Sequence, residues 1–174
     1  MIRRALPLLA AALLAACATP RPQEGEGPWT TGRLSIRVDA SAERTVQSLS
    51  AGFELQGNGA AGELRLNSPL GTRLVSALWA PGVALLRTPE GERRFGSLDE
   101  LSRQALGEAL PLAALPDWLG GRPWADAAHA VIEGGFEQLG WQVLLTRRGE
   151  GWIEARRAAP PAVLLRVRLD GTDP

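Results

Sequence analysis

Gln47-Ser48-Leu49-Ser50-Ala51-Gly52-Phe53-Glu54-Leu55 is the stretch whose reading decides the fold class. Leu49, Ala51, Phe53 and Leu55 alternate with Ser48, Ser50, Gly52 and Glu54. A period of two marks a strand with one face on a core and the other in water. The same period runs upstream through Leu34, Ile36 and Val38, and downstream through Leu64 and Leu66 after a Gly57-Asn58-Gly59 turn. From about Thr72 to Trp79 both faces are apolar (Leu74 and Leu78, Val75 and Trp79), so the pattern leaves the inward side of that strand open. Val83 to Arg87 and Glu92 to Phe95 form a hairpin around Pro89-Glu90-Gly91. Strands joined in sequence by turns of this length make an antiparallel meander.

The pattern changes at Ser97. Ser97-Leu98-Asp99-Glu100 has the form of a capping box, with Leu98, Leu101 and Ala105 on one stripe and Gly107 placed to end the helix. A second helical segment is expected around Leu112 to Leu119 behind Pro111, although Pro116 lies inside it, where a proline breaks the ladder. Leu110, Leu112, Leu115, Trp118 and Leu119 exceed what two short surface helices need, so they are expected to cover an opening in the sheet. Strands return at Ala130 to Ile132, Gly135 to Glu137, Trp141 to Leu145, Trp152 to Arg156, and from Val163 to Leu169. About ten strands with one helical insert between the sixth and seventh give a mainly β fold. It is one curved, strongly bent antiparallel sheet or open barrel, with the helices plugging its mouth.

Ahead of this domain stand Arg3 and Arg4, an apolar run from Ala5 to Ala16, and then Cys17. The run has the layout of an export signal and is too short for a bilayer span, which needs roughly 20 residues. Leu14-Ala15-Ala16-Cys17 resembles the lipobox of bacterial lipoproteins, in which the cysteine is lipidated and becomes residue one after cleavage. Cys17 is the only cysteine, so it has no disulfide partner. Ala18 to Pro28 is rich in Pro, Gly and Glu and reads as a flexible linker. The expected organisation is a signal peptide over residues 1–16, a lipidated cysteine and linker over 17–28, and one domain over 29–174.

Composition removes several function classes. Without Arg3 and Arg4 the mature part keeps 17 basic residues against 19 acidic ones, about −2 in net charge, with no Lys and no concentrated basic face. A nucleic-acid partner, whose phosphates need clustered cations, does not fit. His129 is the single histidine, expected in an exposed loop. It leaves no His pair for a metal, and no Gly-x-Ser-x-Gly elbow accompanies it. Asp99 and Glu100 are explained by helix-start chemistry. The chain reads as a non-enzyme without cofactor or metal.

Asn67-Ser68-Pro69-Leu70-Gly71 is the remaining motif. Single apolar residues on a surface are ordinary. Here, however, Pro69 and Gly71 fix Leu70 in a tight turn that no core reaches. On a protein tethered to a membrane, such a leucine is placed to enter a bilayer or a partner's groove.

Taken in order, these segments resemble the LolB family of outer-membrane lipoproteins. The resemblance rests on Gly32-Arg33-Leu34, Gln47 through Phe53, and Ser68-Pro69-Leu70-Gly71. It continues through Leu110-Pro111-Leu112, Trp118 through Pro123, and Gly140-Trp141-Gln142-Val143. It implies an unclosed antiparallel β-barrel covered by short helices, with an apolar cavity that holds acyl chains. It further implies a protein that accepts lipoproteins from a periplasmic LolA-like carrier and inserts them into the outer membrane, to whose periplasmic face it is anchored. Its partners would be that carrier, lipoprotein acyl chains and outer-membrane lipid, and it is expected to act as a monomer. Ser68, Pro69, Leu70 and Gly71 then correspond to the membrane-insertion loop. Leu49, Phe53, Leu55, Leu64 and Leu66 are expected on the concave, acyl-binding side.

Two departures from the family pattern stand out. The helical segment that members can carry before the first strand is reduced here to a linker ending at Trp29, and the last residues, Asp170 to Pro174, lack the usual further strand. Ala18 after the cysteine resembles the outer-membrane default in the family's sorting logic. The alternatives are a tethered lipid or glycolipid carrier that keeps its ligand, and a structural envelope lipoprotein whose cavity is a packed core.

Overall fold

The structure is a computed structural model and describes residues 27–40 and 45–171. The expected signal peptide, Cys17 and most of the linker therefore lie outside the described residues. Strands β1 (Thr30–Val38), β2 (Gln47–Gly57), β3 (Gly62–Asn67), β4 (Arg73–Ala80), β5 (Val83–Thr88) and β6 (Gly91–Phe95) come first. Helices α1 (Leu98–Leu106) and α2 (Leu115–Leu119) follow. Then come β7 (His129–Ile132), β8 (Gly135–Gln138), β9 (Trp141–Leu144), β10 (Trp152–Arg157) and β11 (Val163–Leu169). All eleven belong to one sheet in the order β6-β5-β4-β3-β2-β1-β11-β10-β9-β8-β7. Every pairing is antiparallel, and β6 and β7 are the two open edges of an unclosed barrel. The sequence reading of about ten strands becomes eleven because both short segments before Trp141 pair.

Register puts the alternating residues where their period predicts. Leu34 sits opposite Ala51, Ile36 opposite Leu49 and Leu55 opposite Leu64; Leu34, Ile36, Leu55 and Leu64 join one core, while buried Ala51 and half-buried Leu49 share their face. Gly32 is required in β1 because a Cβ there would stand 2.9 Å from the Phe53 ring and closer still to the Arg168 carbonyl. The open question in β4 resolves from its partners. Val75, Ala77 and Trp79 face the core, while Leu78 turns to the other face and packs with Val83 and Leu85. That face is polar on β2 and β3. Buried Glu63 accepts from Arg65 at 2.6 Å, Glu54 lies 3.5 Å from the same guanidinium, and the Trp29 ring covers it at 4.1 Å. The hydrogen bond that the Arg65 guanidinium donates to Glu63 holds the Arg65 pKa above its ordinary value.

The insert forms as its caps direct. Ser97 Oγ accepts from Glu100 N at 3.1 Å, and Glu100 Oε2 accepts from Gly96 N at 2.8 Å, one residue ahead of the usual box. Gly107 ends α1 in the left-handed conformation, φ 77°. The second expected helix is split: a 3-10 turn over Leu112–Ala114 precedes α2. Pro116 starts α2 instead of breaking it, because a first-turn N–H has no partner to lose. His129 is a correction: it is exposed but opens edge strand β7, against the edge of the Phe136 ring.

Candidate functional site

The concave side of the sheet and the underside of the insert enclose a cavity of about 420 Å³. β1 contributes Leu34 and Ile36, β2 Leu49, β3 Leu64 and Leu66, β4 Val75 and Ala77, and β5 Leu86 and Thr88. β11 adds Val163 and Leu165. The roof is Leu101 and Leu106 of α1 with Leu110, Leu112, Leu115 and Trp118. No charged side chain lines it. Ser102, one of the few polar residues there, is occupied: its Oγ donates to Asp99 O at 3.2 Å and accepts from Leu110 N at 3.0 Å. Each methylene a ligand buries in such a lining is worth about 0.8 kcal/mol.

Of the residues expected on this surface, Leu49, Leu64 and Leu66 stand on the wall. Phe53 and Leu55 share their face but pack into the core, each 3% exposed, and do not line the cavity. Strand period identifies a face, and depth along that face depends on where the helices land.

Gln138, which the sequence reading did not single out, fixes the roof. It is fully buried in β8; its Oε1 accepts from Trp118 Nε1 at 2.8 Å and from Trp124 N at 2.9 Å. Its Nε2 donates to Trp124 O at 2.8 Å and Ala127 O at 2.7 Å. One amide thus ties α2 and the segment after it to the sheet. The available signal was parity: Gln138 is two residues beyond buried Phe136 and so points inward. A second tie is ionic, from Arg157 of β10 to Glu108 behind α1 at 2.7 Å.

Leu70 stands outside all of this, 94% exposed. Its turn is internally bonded: Ser68 N donates to Thr72 O at 2.8 Å, Gly71 N to Ser68 O at 2.9 Å, and Thr72 N to Ser68 Oγ at 3.2 Å. Gly71 takes φ 81°, a conformation open to glycine and costly for leucine or alanine. The turn continues directly from β3 and β4, whose Leu66 and Val75 belong to the cavity wall. Ser68, Pro69, Leu70 and Gly71 are therefore a rigid tip on the hairpin that forms one side of the cavity.

Among the described residues no helix is long and apolar enough to cross a membrane. A family profile described as outer membrane lipoprotein LolB matches residues 29–164. An outer-membrane lipoprotein LolB of Bordetella parapertussis is 34% identical, over 97% of this chain and 91% of its own. Its namesake in Chromobacterium violaceum is 32% identical, over 84% of each chain. That of Neisseria meningitidis serogroup A is 30% identical, over 81% of this chain and 76% of its own. With a family profile over residues 29–164 and this likeness across most of its length, the chain, an unclosed sheet with an uncharged cavity under a helical roof, belongs to the LolB family of outer-membrane lipoproteins.

Proposed function

We propose that the protein receives acylated lipoproteins from a soluble periplasmic carrier, holds their acyl chains in the cavity, and releases them into the outer membrane through the Leu70 tip. No cofactor or covalent step is involved. The chains move toward progressively better apolar surroundings, from carrier to cavity to bilayer. Cys17, lipidated, keeps the domain at the periplasmic face of that membrane, and one copy suffices. The observation that carries this reading is the exposed Leu70 on a braced turn growing out of the cavity wall. A carrier that merely stored lipid has no use for an apolar prong.

The test is Leu70→Glu in a reconstituted system of loaded carrier, purified protein and liposomes. Inserting a carboxylate requires desolvating it, at several kcal/mol, and 3 kcal/mol alone slows a step more than a hundredfold. The variant should fold, empty the carrier normally, and fail to deliver. Delivery at the wild-type rate would reject the insertion role and favour the storage reading.

A further inference from the structure

Exposure rises along the β3–β4 hairpin toward its turn. The cavity-lining partners Leu64 and Ala77 are buried, the next such pair, Leu66 and Val75, is half-buried, and Leu70 beyond them stands free. On β5, Leu86 is buried and Thr88 half-buried in the same sense. The cavity therefore opens toward the tip. Just outside that mouth the register shifts: Leu66 pairs with Val75 and Asn67 with Arg73, which leaves Leu74 unpaired between them. Neighbours along a strand point to opposite faces, so Leu74 turns away from the cavity that Val75 lines, and it is 39% exposed. From Leu66 to Thr72 the hairpin bears no charge. Arg73 is the first, and its side chain is drawn back from the tip. Its Nε donates to Asn67 Oδ1 at 2.8 Å and its Nη2 to Glu54 Oε2 at 3.4 Å. Glu54 pairs with Arg65 in register, two residues farther from the turn than Asn67.

Resting on the insertion reading above, we infer that Arg73 and Leu74 set the depth at which the hairpin seats in the bilayer. Pro69, Leu70 and Leu74 enter apolar lipid, while the Arg73 guanidinium, folded back on Asn67 and Glu54, stays among the headgroup phosphates. Long cationic side chains at a membrane boundary divide in this way, the stem in lipid and the charge at the interface. Deeper entry would carry Arg73, Glu54 and Arg65 into hydrocarbon, which opposes it. Three residues separate Leu70 from Arg73, so at about 3.3 Å each no more than roughly 10 Å of hairpin lies below the stop. Amphipathic elements sink to a similar depth, about 5–10 Å. Leu66 and Val75, the pair directly above Asn67 and Arg73, then stand at the lipid boundary. A chain leaving the cavity there meets lipid before water.

Depth is read from a nitroxide on Thr72→Cys in the full-length protein on phosphatidylethanolamine–phosphatidylglycerol liposomes, by its relative exposure to oxygen and a water-soluble nickel chelate. Cys17, once acylated, offers no free thiol, so the label attaches only at position 72. With no further change the label should lie below the phosphates. Arg73→Leu should move it about 3–4 Å deeper, one strand residue, and Arg73→Lys, which keeps a cation at the interface, should leave it in place. Glu54 retains Asn67 and Arg65 as partners in both variants, so the fold does not depend on the change. Leu74→Glu should empty a loaded carrier at the wild-type rate and deliver to the liposomes at least about tenfold more slowly, while Leu74→Met delivers normally. Unchanged depth in Arg73→Leu, or normal delivery by Leu74→Glu, overturns the assignment while leaving insertion through Leu70 intact. A label that stays in water without either change overturns the insertion reading itself.

Discussion

Leu66 and Val75 are register partners across β3 and β4, and both line the cavity. Just beyond them the register shifts, Asn67 pairs with Arg73, and the chain turns through Leu70. Wall and tip are thus one hairpin. Gly71→Ala tests how far the tip depends on its backbone. Added at Gly71, a Cβ meets nothing within 4 Å, so the cost comes from φ alone, about 1 kcal/mol. A melting temperature lowered by about 2–4 °C with unchanged acyl-chain affinity is the expected result.

The wall and the core behind it should respond differently. Leu49→Glu puts a charge on a half-buried wall position, so the fold should survive while affinity for a fluorescent fatty acid falls at least tenfold. Phe53→Ala, by contrast, removes a side chain that is 3% exposed and should destabilise by about 3–5 kcal/mol. Denaturant titrations beside binding curves separate the two. Equal binding by wild type and Leu49→Glu would move the ligand out of the cavity.

Gln138→Leu strands two donors and two carbonyls around a fully buried site. At about 1–3 kcal/mol for each unpaired group, discounted for relaxation, a loss of at least 3 kcal/mol is expected. Amide exchange should rise first around Trp118 to Ala127, before the central strands are affected. Uniform loss of protection would mean that the insert and the sheet unfold as one unit.

Cys17→Ser removes the only thiol available for acylation. The protein should then appear in the soluble periplasmic fraction and still empty a loaded carrier in vitro. Recovery with the outer membrane would show that something other than a lipid on Cys17 holds it there.

Much of the fold was legible because strand period and turn chemistry agree. The alternation from Leu49 to Leu55, the Asn58 turn, whose Oδ1 accepts from Ala60 N at 2.8 Å, and the Ser97 cap each stand where the sequence points. What stayed hidden depends on partners far away in the chain. The inward face of β4 was ambiguous because Leu78 is as buried as Trp79, against a separate cluster with Val83 and Leu85. The division between wall-lining Leu49 and core-packed Phe53 depends on where the insert, through α2, meets β2, and no local pattern carries it. Gln138 looks like any surface glutamine until its four partners from the insert are assembled around it.

The sheet stops at β6 on one side and β7 on the other, and no ladder joins those edges. Compliance follows. A closed barrel enlarges only by breaking hydrogen bonds between neighbouring strands, whereas this one has a seam that parts without breaking any ladder. The twist between strands sets its resting width, and the Gln138 and Glu108 ties limit how far the roof lifts. Under the proposed function, a container built this way would adjust its capacity to what it holds, and acyl chains of different girth would meet the same lining at nearly the same energetic cost.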